Sequence, residues 1–316
     1  MAENDPALSK SLCTVATNRL FSKHKLEVFM ASSPPFTPGA SCFIVRPVSV
    51  NPQRNPAMVQ VEGLTKLYGD FTAVSELSFS IQPGEVVGLV GPNGAGKTST
   101  LRCLAGIIPP TRGTVHVCGH NIVNDALPAK KNLAFFTDEP RLFDYLTVWQ
   151  HLNFVARIYQ VAHYENTGKE LLEELELAGK KDALPGELSR GMKQKLAIAC
   201  GLLHSPKVIF FDEPLTGLDP IGIRRMKNSI LKRAQEGAAI IISSHLLHLV
   251  EEISSRILIL KDGKKVIDGT LAEVAQKFAG TTEGDSLEEI FFRATSAVSA
   301  PSVPAAVPPP LPMEIK

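Results

Sequence analysis

The sequence predicts an α/β fold built on a mainly parallel sheet, and three observations predict it. Short β-type runs alternate with helical stretches along most of the chain, the pattern of strands joined by crossover helices. The apolar run "VVGLV" (86–90) leads into the glycine-rich "GPNGAGKTST" (91–100) and then into the helical "TSTLRCLAG", a strand–loop–helix unit. A mostly helical stretch from about 145 to 200 interrupts the alternation, as an inserted helical subdomain would.

Taken in order, residues 1–57 show little periodicity and contain "SSPPFTPG" (32–39) and "NPQRNP" (51–56). They read as mostly unstructured. Two accounts stay open: a leader upstream of a true start at Met58, or an organelle transit peptide, since acid is scarce after Asp5. One nucleotide domain is expected over 58–280. Its β-type runs are 58–64, 77–81, 86–90, 114–119, 133–137, 208–212, 238–244 and 256–263. Residues 281–316 form a C-terminal extension, and "APSVPAAVPPPLP" (300–312) reads as flexible or polyproline-like.

Composition narrows the function classes. The 316 residues carry a net charge of +1, so no nucleic-acid footprint is expected. No apolar run of about 18 residues suggests a membrane span. The five cysteines are scattered without a CxxC, which fits a reducing compartment. His116, Cys118 and His120 alternate on a strand-like segment, but a metal needs more ligands. Residues 169–183 carry mixed charge at helical spacing and read as a solvated helix face.

The glycine-rich loop carries the first chemistry. Gly91, Gly96, Lys97 and Thr98 match GxxxxGK[ST]. In such a loop the backbone of 91–96 bends the N–H groups of Gly91, Asn93, Gly94, Ala95 and Gly96 onto phosphate oxygens, while Pro92, which has no N–H, shapes the turn. The start of the next helix, with Ser99, adds its positive end. Lys97 would reach the β- and γ-phosphates, and Thr98 would ligate Mg²⁺. The second feature is "VIFFDEP" (208–214). A buried strand ending in Asp212 sets a carboxylate at the carboxyl edge of the sheet, where ligands bind. Asp212 would hold Mg²⁺ through water, and Glu213 would polarise an attacking water.

These features occur together with "LSRGMKQKLAIACGLL" (188–203), "LTGLDP" (215–220) and "IIISSH" (240–245). In that order, over about 58–275, the chain resembles the nucleotide-binding domain of ABC transporters. The resemblance implies a P-loop NTPase (RecA-like) core with a small antiparallel β subdomain and an inserted α-helical subdomain. It implies ATP hydrolysis with Mg²⁺, with Glu213 as base, His245 sensing the γ-phosphate, and Lys97 on the phosphates. Tyr68 corresponds to the aromatic that stacks on adenine, with Val74 packing nearby. Leu188, Ser189, Arg190, Gly191 and Met192 align with the signature segment. There Ser189 and the Gly191 amide serve the γ-phosphate on a second copy, and Ser189 can cap its helix. Asp219 corresponds to the D-loop aspartate.

Two departures stand out. Asp138 occupies the place of the family's usual Gln, next to Glu139, and a shorter anionic side chain there can still meet Mg²⁺ through water. Arg190 and Met192 replace the signature's usual Gly and Gln. The "LSRGMKQKL" form and the ending "SLEEIFFRAT" (286–295) resemble the ATP-binding subunits of bacterial ABC-2-type exporters. That subgroup implies a bacterial, cytoplasmic protein on the inner face of the cell membrane. It also implies a homodimer and a separate transmembrane permease. The competing readings are a soluble ABC-type ATPase acting on nucleic acid or ribosomes, and a P-loop phosphotransferase for small molecules.

Overall fold

The computed structural model describes residues 56–278, 288–289 and 291–292. The expectations for 1–55 and for 300–312 lie outside the described residues.

Two sheets form the frame. β1 (Val59–Tyr68), β2 (Phe71–Ile81), β4 (Arg112–Val117) and β5 (His120–Asn121) make an antiparallel sheet in the order β2-β1-β4-β5. The second sheet runs β10-β9-β3-β8-β7-β6, from β10 (Lys264–Thr270), β9 (Arg256–Lys261), β3 (Val86–Val90), β8 (Ala239–Ser243), β7 (Val208–Asp212) and β6 (Leu133–Phe136). Its pairs are parallel except for the edge strand β10. β3, β7 and β8 are buried along their whole length, which is why their sequences are unbroken apolar runs rather than alternating ones.

Alternation persists inside those runs and sorts the residues to opposite faces. Val208 and Phe210 of β7, with Ala239 and Ile241 of β8, join α1 (Lys97–Leu104) and the antiparallel sheet in one core. Ile209, Phe211, Ile240 and Ile242 face the other way. Their core contains α3 (Val148–Tyr159), α5 (Arg190–Leu202) and α6 (Pro220–Gln235), together with the buried side of α4 (Tyr164–Glu174). A smaller core joins β9 and β10 to α7 (Leu247–Ile253) and α8 (Leu271–Phe278). α2 (Ala126–Lys131) precedes β6.

The predicted helical insertion is α3, α4 and α5, between β6 and β7. α3 starts on a capping box between Thr147 and Gln150, which satisfies two otherwise orphaned amides. The helix expected over 169–183 stops early. α4 ends at Glu174, Glu176 takes φ 60, and residues 178–180 form a 3-10 turn.

The parallel strands all point the same way, so β3, β6, β7 and β8 deliver their carboxyl ends to one edge. Those ends carry the loop at 91–96, the segment from Thr137, Asp212–Glu213 and Ser244–His245. Ligands of parallel α/β sheets bind at this edge.

Candidate nucleotide site

The loop after β3 is shaped by close packing. Gly94 has φ 80 and Gly96 φ 98, values that side chains other than glycine resist. A Cβ on Gly96 would collide with Ala73 O, and one on Gly91 with Leu260 O. Ala95 is buried beneath the loop, while Pro92, Asn93 and Gly94 are exposed. Gly96 then starts α1. Thr98 and Ser99 therefore lie in its first turn, beside amides that lack helical partners and attract anions.

Lys97 Nζ donates to Gly91 O at 2.7 Å and to Pro92 O at 3.2 Å, arching back over the loop. Burial pushes its ammonium below the ordinary lysine value, against the attraction of Glu213 and Asp212. The loop thus holds its one cation near the carboxylates and poorly solvated, which strengthens its pull on an incoming phosphate.

Asp212 is the hub. Its Oδ1 accepts Ser243 Oγ–H at 2.8 Å and Thr98 Oγ1–H at 3.3 Å. The residue is only 5% exposed. Burial raises its carboxyl above the usual aspartate range, and the charges of Glu213 and Asp138 push the same way, against the Ser243 and Thr98 hydrogen bonds. The oxygen donors Thr98 and Asp212, with surplus negative charge around them, fit a hard divalent cation. Asp138 is exposed and acts on Asp212 through its charge. Among the described residues no cluster of three or more His, Cys, Asp and Glu side chains has metal-holding geometry. The fit for a cation therefore rests on Thr98 and Asp212, with Asp138 further out.

Glu213 adopts φ 53, an uncommon backbone state for a non-glycine residue. Its N–H donates to Ser243 Oγ and to Ser243 O, each at 3.2 Å. Its Oε2 lies 2.7 Å from His245 Nδ1 and accepts the His245 N–H at 3.2 Å. The left-handed turn after β7 therefore carries Glu213 across to the end of β8. Ser243 holds both acidic residues, yet the sequence did not single it out. Its position at the end of the "IIISSH" strand, in register with Asp212, was the signal.

The other predicted residues fall in three places. Tyr68 is 47% exposed at the end of β1, with Lys66 Nζ 5.2 Å from its ring centroid. Val74, which the resemblance sets near Tyr68, is fully buried with Ala95 and Leu101. It packs behind the phosphate loop, because β2 turns two successive residues, Ala73 and Val74, inward. The signature segment lies on another surface. Leu188 is buried, and Ser189 caps α5 by accepting the Met192 N–H at 3.3 Å. Gly191 approaches Gly217 O, and Arg190 lies along Gly217. Asp219 is exposed and caps α6, accepting the Gly222 N–H at 3.1 Å. Among the described residues, no hydrogen bond joins 188–192 to 91–99.

The family model for ABC transporters matches residues 74–216. An uncharacterised ABC transporter ATP-binding protein of Bacillus subtilis, YhcH, is 38% identical over 213 residues, covering 66% of this chain and 68% of that protein. The chain belongs to the ABC transporter family. It is an ATPase, the ATP-binding subunit type of that family. The SkfA peptide export ATP-binding protein SkfE of Bacillus subtilis is 35% identical, covering 67% of this chain and 88% of that protein. A solved structure of the ATP-binding subunit of an ABC transporter superposes with a TM-score of 0.72 at 30% identity, covering 75% of this chain and 99% of that one. These relatives are named as transporter subunits, which disfavours an ATPase of nucleic acid or ribosomes. The α/β fold with its antiparallel sheet and helical insertion agrees with the expectation from sequence.

Proposed function

We propose that this ATPase powers export through a separate membrane permease by closing, as a homodimer, over two ATP molecules. The observation that carries the reading is the separation of two half-sites on one chain. Gly91–Ser99, Asp212, Glu213 and His245 gather at one sheet edge, while Ser189 and Gly191 present a helix start with no hydrogen bond to that loop. A second copy brings the missing half to each loop.

In this reading Tyr68 stacks on adenine, and the amides of the phosphate loop and Lys97 bind the phosphates. Thr98 and Asp212 would hold Mg²⁺, with the charge of Asp138 nearby. When bound, the cation neutralises phosphate charge. Glu213 orients and deprotonates water, and His245 keeps the Glu213 carboxylate aimed while sensing the γ-phosphate. Ser189 and Gly191 close on the γ-phosphate of the other copy, and Asp219 lies at the seam. Val74 supports the loop from behind.

Among the described residues no helix is long and apolar enough to cross a membrane, so another chain must form the passage in this reading. Phe143 and Phe154, whose rings meet edge-on, are exposed together with Ile158 one turn on along α3, and Tyr145 is exposed in the segment that follows the Asp138 loop; the permease would dock there. The protein then sits peripherally on the inner face of a bacterial membrane. Export is favoured by relatives such as SkfE, whose name describes peptide export. The test is purification from membranes with ATPase assay. A polytopic chain should co-purify, and a monomer that hydrolyses ATP at full rate at any dilution overturns the composite site.

A further inference from the structure

Helix α5 does two things at once. Its first turn offers Ser189 and Gly191, and its buried face packs on β6. On that face Gln194, Ile198 and Gly201 recur at i, i+4 and i+7, one side of a helix. Gly201 comes so close to Phe136 that a Cβ would collide with the ring. Phe136 in turn stacks on Phe211, with centroids 4.9 Å apart. This end of the helix is thereby clamped to the sheet.

Two turns nearer the signature segment, Gln194 is 2% exposed and donates Nε2–H to Thr137 O at 3.0 Å. Its Oε1 is buried and has no hydrogen-bond partner within the protein. A buried amide with one unmet end is costly, whereas an apolar side chain of the same shape would avoid that cost. Packing alone therefore does not account for glutamine here. Its one hydrogen bond goes to the residue immediately before Asp138. Thr137 Oγ1 also donates to Glu139 O at 2.9 Å, which locks residues 137–139 into a single turn. Asp138 in that turn reaches Asp212 through its charge.

We propose that Gln194 is a positioning residue that couples this chain's own nucleotide site to the site it completes on a second copy. The Gln194–Thr137 hydrogen bond makes the Asp138 loop and the Ser189 end of α5 move as one body. Oε1, buried and without a protein partner, is free to accept an N–H when the Asp138 loop moves. The inference rests on the dimeric reading above.

The test uses the full chain carrying Glu213→Gln for ATP-driven dimerisation, followed by light scattering. The chain with Glu213 intact serves for the Hill coefficient of hydrolysis against ATP. Gln194→Leu and Gln194→Met keep the volume and remove the donor. Both variants should bind a fluorescent ATP analogue at high dilution within about twofold of the parent. Both should need about tenfold more ATP to dimerise, and their Hill coefficients should fall toward one. A purely structural role would move thermal stability and leave the Hill coefficient alone. Should one variant fail to fold, the other decides. A parent that dimerises with ATP and is matched by a folded Gln194 variant in midpoint and Hill coefficient overturns the inference alone. A parent that stays monomeric with ATP overturns the dimeric reading and the inference with it.

Discussion

Glu213 Oε2 meets His245 twice, at Nδ1 (2.7 Å) and at the backbone N–H (3.2 Å). The contact ties the ends of two neighbouring parallel strands together through a carboxylate carried on a left-handed turn. A carboxylate held from one side by an imidazole keeps its other oxygen for water. Glu213→Gln keeps the shape and loses the base, so ATP hydrolysis should fall roughly 100- to 10,000-fold, while ATP binding stays within a few-fold. His245→Ala leaves the base in place but unaimed, so it should cost less than Glu213→Gln. Steady-state ATPase rates beside equilibrium nucleotide binding check both. Equal losses from the two variants would count against His245 acting through Glu213.

Asp212 is a case where function opposes stability. Its raised carboxyl means the native state holds the proton at pH values where the unfolded chain has released it. The contribution of this group to stability is therefore full below the ordinary aspartate value of about 4 and is lost as pH rises through the raised native value. Asp212→Asn keeps an acceptor for Ser243 and Thr98 and removes the charge. At neutral pH the nucleotide-free variant should melt higher than the parent. That gain should vanish toward pH 4, and Mg²⁺-dependent hydrolysis should be lost. Thermal melts across pH test the sign; a variant less stable at neutral pH would contradict it.

Most of this site was legible because its parts are local. The phosphate loop, the strand ending in Asp212–Glu213 and the "SSH" end of β8 are each written in a few consecutive residues. All eight β-type runs read from the sequence fall in strands of the structure. What escaped were β10, the two-residue β5 and the outer halves of β1 and β2. β10 is "KKVIDGT", an edge strand with little apolar alternation, and β1 and β2 pair through register shifts that break the period of two. Ser243 and Gln194 escaped for a different reason. Their partners, Asp212 and Thr137, lie 31 and 57 residues away; the pairing of β7 with β8 brings the first pair together, and the packing of α5 on β6 the second.

The glycines of the phosphate loop should separate into two classes. Gly96 has φ 98 and its Cβ position faces Ala73 O, whereas Gly94 has φ 80 and open space around it. Gly94→Ala bears only the conformational strain of a left-handed residue, on the order of 1 kcal/mol. Gly96→Ala adds a backbone collision and should cost at least about twice that, moving the loop and abolishing nucleotide binding. Urea unfolding and ATP titration distinguish them, and similar losses from both would mean the loop yields more readily than its packing implies.

Tyr68 offers one face toward solvent while Lys66 lies over its ring. If the ring stacks on the base, Tyr68→Ala should weaken ATP binding by about 1–3 kcal/mol, roughly ten- to a hundredfold. Tyr68→Phe should restore it, because stacking needs the ring and not the hydroxyl. Loss in Tyr68→Phe equal to that in Tyr68→Ala would assign the hydroxyl, rather than the ring, to nucleotide binding.

Tyr145 is 92% exposed and lies two residues after Phe143, whose ring meets that of Phe154 edge-on at 5.0 Å. An aromatic that exposed contributes almost nothing to the fold of the isolated chain, so its removal separates docking from catalysis. Tyr145→Asp should leave the ATPase rate and melting temperature of the purified chain unchanged. In membranes it should lose most of the co-purifying permease, since a charge placed in an apolar contact must be desolvated without a partner. The complementary change, Leu127→Asp, alters an exposed residue, 77% accessible, that lies before β6, on α2. It should leave the association intact. Equal retention of the membrane partner by both variants would move the docking surface elsewhere on the chain, and equal loss would make the association non-specific adhesion of apolar surface.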